Sequence, residues 1–123
     1  MEKELLDFAA AKVDEMLAAG SASAATKAAA QAWKDAVAAG QDAEAATNAL
    51  MDAVSEHQTS IVSLLGFIQS EAGKQVFGDA AEGMLAHEQE RKDKGAKWCD
   101  CAACRPCHEL LAKFGREEPD LYL

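Results

Sequence analysis

All four cysteines of this 123-residue chain fall between positions 99 and 107, as Cys99, Cys101, Cys104 and Cys107. Thiols gathered this tightly propose chemistry, because the thiolate is both a metal ligand and a nucleophile. Zinc takes four nitrogen or sulfur ligands at tetrahedral angles, and ligands separated by two residues fit a tight knuckle or a first helical turn. Cys104-Arg105-Pro106-Cys107 has that separation. Pro106 suits a first turn, where its missing N–H breaks no bond. Cys107 then sits near a helix N-terminus, whose dipole and unpaired N–H groups favour a thiolate. Cys99 and Cys101 point to the same side if the chain between them is extended. The spacing therefore predicts one zinc held by Cys99, Cys101, Cys104 and Cys107. Should one thiol fail to reach, His87 is the replacement ligand.

The same residues admit three rival chemistries. Cys104-Arg105-Pro106-Cys107-His108 matches the c-type haem attachment pattern, with His108 as the axial ligand. That reading leaves Cys99 and Cys101 unused and belongs to exported proteins. An iron–sulfur cluster also takes four cysteines, but the usual ferredoxin run separates them by two, two and three residues, which this stretch does not. A redox-sensing thiol needs an accessible thiolate of lowered pKa, and Arg105 beside Cys104 favours one. Zinc is the reading preferred over all three. A zinc fully enclosed by thiolates has no open position for water, which points to a structural role and away from catalysis. No nucleophile-plus-base arrangement, phosphate loop or paired-carboxylate site stands out elsewhere in the sequence.

The charge pattern bears on partners. The chain carries a net −9, which argues against general binding to nucleic acid or anionic membranes. Residues 91–116 nevertheless hold seven basic side chains (Arg91, Lys92, Lys94, Lys97, Arg105, Lys113, Arg116) against three acidic ones (Asp93, Asp100, Glu109), a local +4. Four thiolates around a divalent cation carry −2, and neighbouring cations offset that. A local basic patch for nucleic acid around Lys94, Lys97 and Arg105 is the lesser reading.

The elements that must position this stretch are helical. Leu6, Ala9, Val13, Met16 and Leu17 recur at helical spacing before Gly20, and a second helix over about 24–39 carries Trp33 on its apolar face after a cap at Ser21 or Ser23. Asp42 suits the cap of a third helix, and from there the stripe Ala46, Leu50, Val54, His57, Ile61, Leu65, Ile68 predicts one long helix over about 43–71, weakest at Thr59-Ser60. His57 on that stripe reads as a buried or boundary histidine, and Gly66 as a close helix crossing. Gly73 and Gly78 bracket a turn, and Asp79 with Glu82 has capping-box spacing for a fourth helix over about 80–94. Its last turns, Glu88 to Lys94, read as a solvated or partner-facing surface. A short helix from about 106 to 114 follows the cysteines, and the tail ends in Leu121, Tyr122 and Leu123, residues that favour burial against the bundle.

Together these give an all-α fold: a small bundle of about four helices with a C-terminal cysteine-rich knuckle and a short terminal helix. The division falls at 1–95 for the bundle and 96–123 for the cysteine-rich segment, within one compact domain. Half the residues are apolar but alanine dominates them. Alanine buries little area at about 25 cal/mol per Å², so a metal staple would help such a core. The charged N-terminus reads as helix and not as an export signal, and no apolar run approaches the roughly 20 residues that span a bilayer. A cytoplasmic metal-binding adaptor or regulatory protein, acting through a protein partner or a second copy of itself, is the function expected.

Overall fold

The computed structural model describes residues 1–122; the expected burial of Leu123 lies outside them. The fold is all-α. Among the described residues seven α-helices run in order: α1 (Lys3–Ala18), α2 (Ala24–Ala38), α3 (Ala43–Ser55), α4 (Ile61–Gln69), α5 (Glu71–Phe77), α6 (Ala81–Asp93) and α7 (Cys104–Lys113), with a 3-10 turn at Gly78–Ala80. Among the described residues the only β pairing is an isolated antiparallel bridge between Ser60 and Trp98. No helix is long and apolar enough to cross a membrane among them.

The described residues group into two compact units: 1–58 with 100–119, and 59–99 with 120–122. In the first unit, α1 packs on α2, α2 on α3, and α7 on both α1 and α3. Ala9, Val13 and Met16 from α1, Ala30 and Trp33 from α2, Leu50, Met51 and Val54 from α3, and Cys107, Leu110 and Leu111 from α7 make its core. Trp33 is its aromatic centre, as its place on the α2 stripe implied. Its indole N–H donates to Thr47 Oγ1 at 2.9 Å, and that hydroxyl donates to the Ala43 carbonyl at 2.7 Å. The helix starts carry the caps their residues suggested: Ser23 Oγ accepts from Thr26 N–H and an Asp42 carboxylate oxygen accepts from Glu44 N–H.

The long helix expected over 43–71 is broken. Helix α3 stops at Ser55 and α4 begins at Ile61, where Ser60 Oγ accepts from Ser63 N–H. Residues between them spend their backbone groups elsewhere: the Thr59 carbonyl accepts from Cys99 N–H at 2.9 Å, and Ile61 N–H donates to the Lys97 carbonyl at 2.8 Å. A helix interior could not release those groups. The hydrophobic stripe keeps its period across the break because both helices need a buried face, so periodicity alone could not reveal it. His57 falls in the break and is exposed, not buried.

In the second unit α4 packs against α6 and α5, with Ile61, Leu65 and Ala96 at the core and Leu85 against them. The expected turn at 73–78 is instead helix α5, entered directly from α4 through Ser70, whose side chain accepts from Gly73 N–H. Gly73, not Gly66, is the close approach. A Cβ on Gly73 would overlap the Phe67 carbonyl, while one on Gly66 would meet nothing within 4 Å. Asp79 lies in the 3-10 turn, and α6 starts without a side-chain cap; the 3-10 hydrogen bonding supplies the entry that the capping box was expected to give.

Candidate metal centre

Three of the four predicted ligands come together. The sulfurs of Cys99, Cys101 and Cys104 all lie within 4.8 Å of one another, so this run of six residues could hold a metal ion. Around a tetrahedral zinc with Zn–S near 2.3 Å, sulfurs sit about 3.8 Å apart, so only a small contraction separates the arrangement from a coordination shell. Cys99 is 5 % exposed, and Cys101 and Cys104 are half-buried. No disulfide joins any of the four cysteines.

The chain folds this way for local reasons. Cys104 opens α7, and the Cys101 carbonyl accepts from Arg105 N–H at 2.9 Å, the first helical bond of that turn. This places Cys101 where a capping side chain would sit. Its sulfur accepts from Cys104 N–H at 3.4 Å and from the Ser21 hydroxyl at 3.4 Å. Donors aimed at a sulfur stabilise its ionised form, the form a metal needs. Arg105, one residue past Cys104, is half-exposed and lies 3.5 Å from Glu109, which also pairs with Lys12 at 3.4 Å.

Cys107 stands apart from this group of three. It is 8 % exposed and belongs to the apolar core of α1, α2, α3 and α7. Its thiol donates to the Ala103 carbonyl at 3.2 Å. Burial pushes its pKa up to about 12, with further upward pressure from the charges of Cys101 and Glu117. His108 is buried at 2 % exposure, with Nδ1 lying 2.7 Å from Glu117 Oε1, while Gln58 donates to Glu117 Oε2 at 3.1 Å. His87 is half-buried on α6 and is not one of the three grouped ligands.

The expectation that α6 ends in a solvated surface is overturned at two residues. Glu88 and Arg91 are buried, at 3 % and 0 % exposure. Arg91 Nη1 donates to Glu88 Oε1 at 2.6 Å and to the Trp98 carbonyl at 2.9 Å; Nε donates to the Leu121 carbonyl at 3.0 Å; Nη2 donates to Asp120 Oδ2 at 3.2 Å. Asp120 in turn accepts from the backbone N–H groups of Lys97 at 2.9 Å and Trp98 at 3.1 Å. The tail does fold back, then, but through Asp120: Leu121, expected to be buried, is 36 % exposed. The sequence showed the i,i+3 spacing of Glu88 and Arg91. It gave no sign of the second carboxylate, which arrives from 29 residues away. With Arg91 inside this cluster, the basic stretch has one fewer surface cation than its composition implied. Lys94 is tied to Glu90 at 3.0 Å and Arg116 to Asp52 at 2.6 Å.

No protein-family model matches the chain, and no curated protein or solved structure matches it. The site's own geometry therefore carries the functional argument.

Proposed function

We propose that this chain is a small helical zinc protein whose metal is structural, with Cys99, Cys101 and Cys104 as the core ligands. The carrying observation is the mutual approach of those three sulfurs to within 4.8 Å. Zinc supports the reading best because thiolates are its characteristic structural ligands and bound zinc brings no redox chemistry of its own. Cys107 completes the tetrahedron by leaving its bond to the Ala103 carbonyl and releasing its proton to solvent as its sulfur bonds the metal, since a coordinated thiol is deprotonated outright. Because that fourth step costs a core contact and a buried proton, Cys107 contributes less to affinity than the other three. The metal then locks the turn at 99–104 onto the first turn of α7, and the protein acts through contacts with other proteins as an adaptor or regulator.

The haem alternative asks for more rearrangement. It needs His108 to face iron, yet that ring is 2 % exposed with Nδ1 on Glu117. Cobalt substitution separates the readings. Cobalt in the zinc site gives tetrahedral ligand-field bands with strong sulfur charge transfer; Cys104→Ser removes most of that intensity and Cys107→Ser removes less. A cobalt spectrum of octahedral, oxygen-bound type, unchanged by Cys104→Ser, would end the proposal.

A further inference from the structure

The backbone that delivers Cys99 is held from three directions, and one of them is the C-terminal tail. Ala96 N–H donates to the Arg91 carbonyl at 2.9 Å, which closes the end of α6. Residues 97–99 then pair with 59–61 through Ile61 N–H to Lys97 O and Cys99 N–H to Thr59 O. The third hold is Asp120, whose two carboxylate oxygens take the N–H groups of Lys97 and Trp98, the two residues immediately before Cys99. Arg91 grips the next peptide unit, between Trp98 and Cys99, at the Trp98 carbonyl, while its other nitrogens hold Asp120 and the Leu121 carbonyl. The guanidinium also lies over the Tyr122 ring at 5.8 Å.

We propose that Arg91 and Asp120 are positioning residues for the metal site, and that docking of the tail at 120–122 and metal capture by Cys99 reinforce each other. The inference rests on the metal reading above and adds a coupling to it. A buried ion cluster is an expensive way merely to fasten a loop, since apolar packing of the same volume often serves as well. What the cluster supplies and packing does not is direction: the carboxylate and the planar guanidinium together fix the peptide units on either side of Trp98. That sets the direction in which the chain enters Cys99, and hence where its sulfur falls relative to Cys101 and Cys104. Partners that orient ligands in this way typically change metal affinity by about 10- to 100-fold. Linkage is reciprocal, so whatever the docked tail adds to metal affinity, the metal adds to tail docking.

The test uses the full chain and zinc, competed against a chromophoric chelator. Asp120→Asn keeps the shape and loses the charge; Arg91→Lys keeps the charge and loses the planar fork. Both are expected to weaken zinc binding at least tenfold with the helical circular dichroism retained, and to broaden the cobalt ligand-field bands as one sulfur loses its place. A second measurement needs no variant: zinc should slow hydrogen exchange at the Lys97 and Trp98 amides at least tenfold. Zinc affinity within twofold of wild type in a folded Asp120→Asn protein overturns the coupling, and so does amide exchange that zinc leaves unchanged. If both variants fail to fold, the exchange measurement decides alone. Wild-type protein that takes up no zinc defeats the metal reading itself and this inference with it, whereas zinc binding that ignores both residues defeats the coupling only.

Discussion

Replacing Arg91 by methionine tests the buried cluster where the consequence is largest. The substitution keeps an unbranched side chain of similar length in α6 and removes the guanidinium. In wild type the Arg91 side chain is 0 % exposed, Glu88 4 % and Asp120 1 %, with Arg91 to carboxylate distances of 2.6 and 3.2 Å. Each close pair is worth on the order of 4 kcal/mol at the effective dielectric that suits protein sites, before desolvation is charged against it. Without the cation, two carboxylates remain buried with like charge, and the Trp98 and Leu121 carbonyls each lose a donor. Breaking a buried pair in this way costs about 3–5 kcal/mol. Urea unfolding of the metal-free protein at neutral pH, followed by circular dichroism, measures the loss. A double-mutant cycle with Glu88→Gln should give a coupling of at least about 1 kcal/mol between the two sites. Destabilisation below about 1 kcal/mol in Arg91→Met, or additive effects in the cycle, would refute the argument.

Other consequences follow from single contacts. Thr47→Val removes the hydroxyl that accepts the Trp33 indole N–H and should cost about 1–3 kcal/mol in unfolding free energy, because a buried donor is left without its partner; a neutral effect would show the bond to be dispensable. Gly73→Ala drives a methyl into the Phe67 carbonyl and should lower stability by about 1–3 kcal/mol or more, while Gly66→Ala, with open space, should be neutral or stabilising; equal effects at the two sites would contradict the close approach of α5 to the end of α4. The thiol of Cys107, with its pKa raised to about 12 by burial, stays protonated in the folded metal-free protein after the unfolded chain has begun to ionise near pH 8.5. The unfolded state then binds fewer protons, so this thiol's contribution is intact below about pH 8.5 and falls by up to about 1.4 kcal/mol per pH unit above it. Unfolding of metal-free wild type and Cys107→Ala between pH 8 and 10 should show the steeper decline in wild type, and parallel curves would count against a neutral buried thiol.

The legible parts of this chain are those in which one local signal decides the outcome. The helical class, the starts of α2 and α3 at Ser23 and Asp42, and the core role of Trp33 all follow from period and cap chemistry within a few residues. The cysteine cluster was visible for the same reason: three of its sulfurs belong to six consecutive residues. What escaped was decided by distant partners. The break between α3 and α4 exists because residues 59–61 pair with 97–99, and nothing in the Ala46-to-Ile68 stripe records that pairing. The burial of Glu88 and Arg91 depends on Asp120, so the polar end of α6 looks solvated until the tail is in place. Cys107 shows the converse limit. Its spacing from Cys104 suits a metal knuckle, yet the same position faces the apolar core of the first unit, and spacing could not say which demand would hold its side chain.

Whether Cys99, Cys101 and Cys104 hold a metal ion is decided by the elemental content of the purified protein under reducing conditions, read alongside its absorption spectrum. Colourless protein with one zinc per chain, lost on Cys104→Ser, is the expected result. Protein with a Soret band or broad iron–sulfur absorption, or protein that remains metal-free after incubation with equimolar zinc, would contradict it.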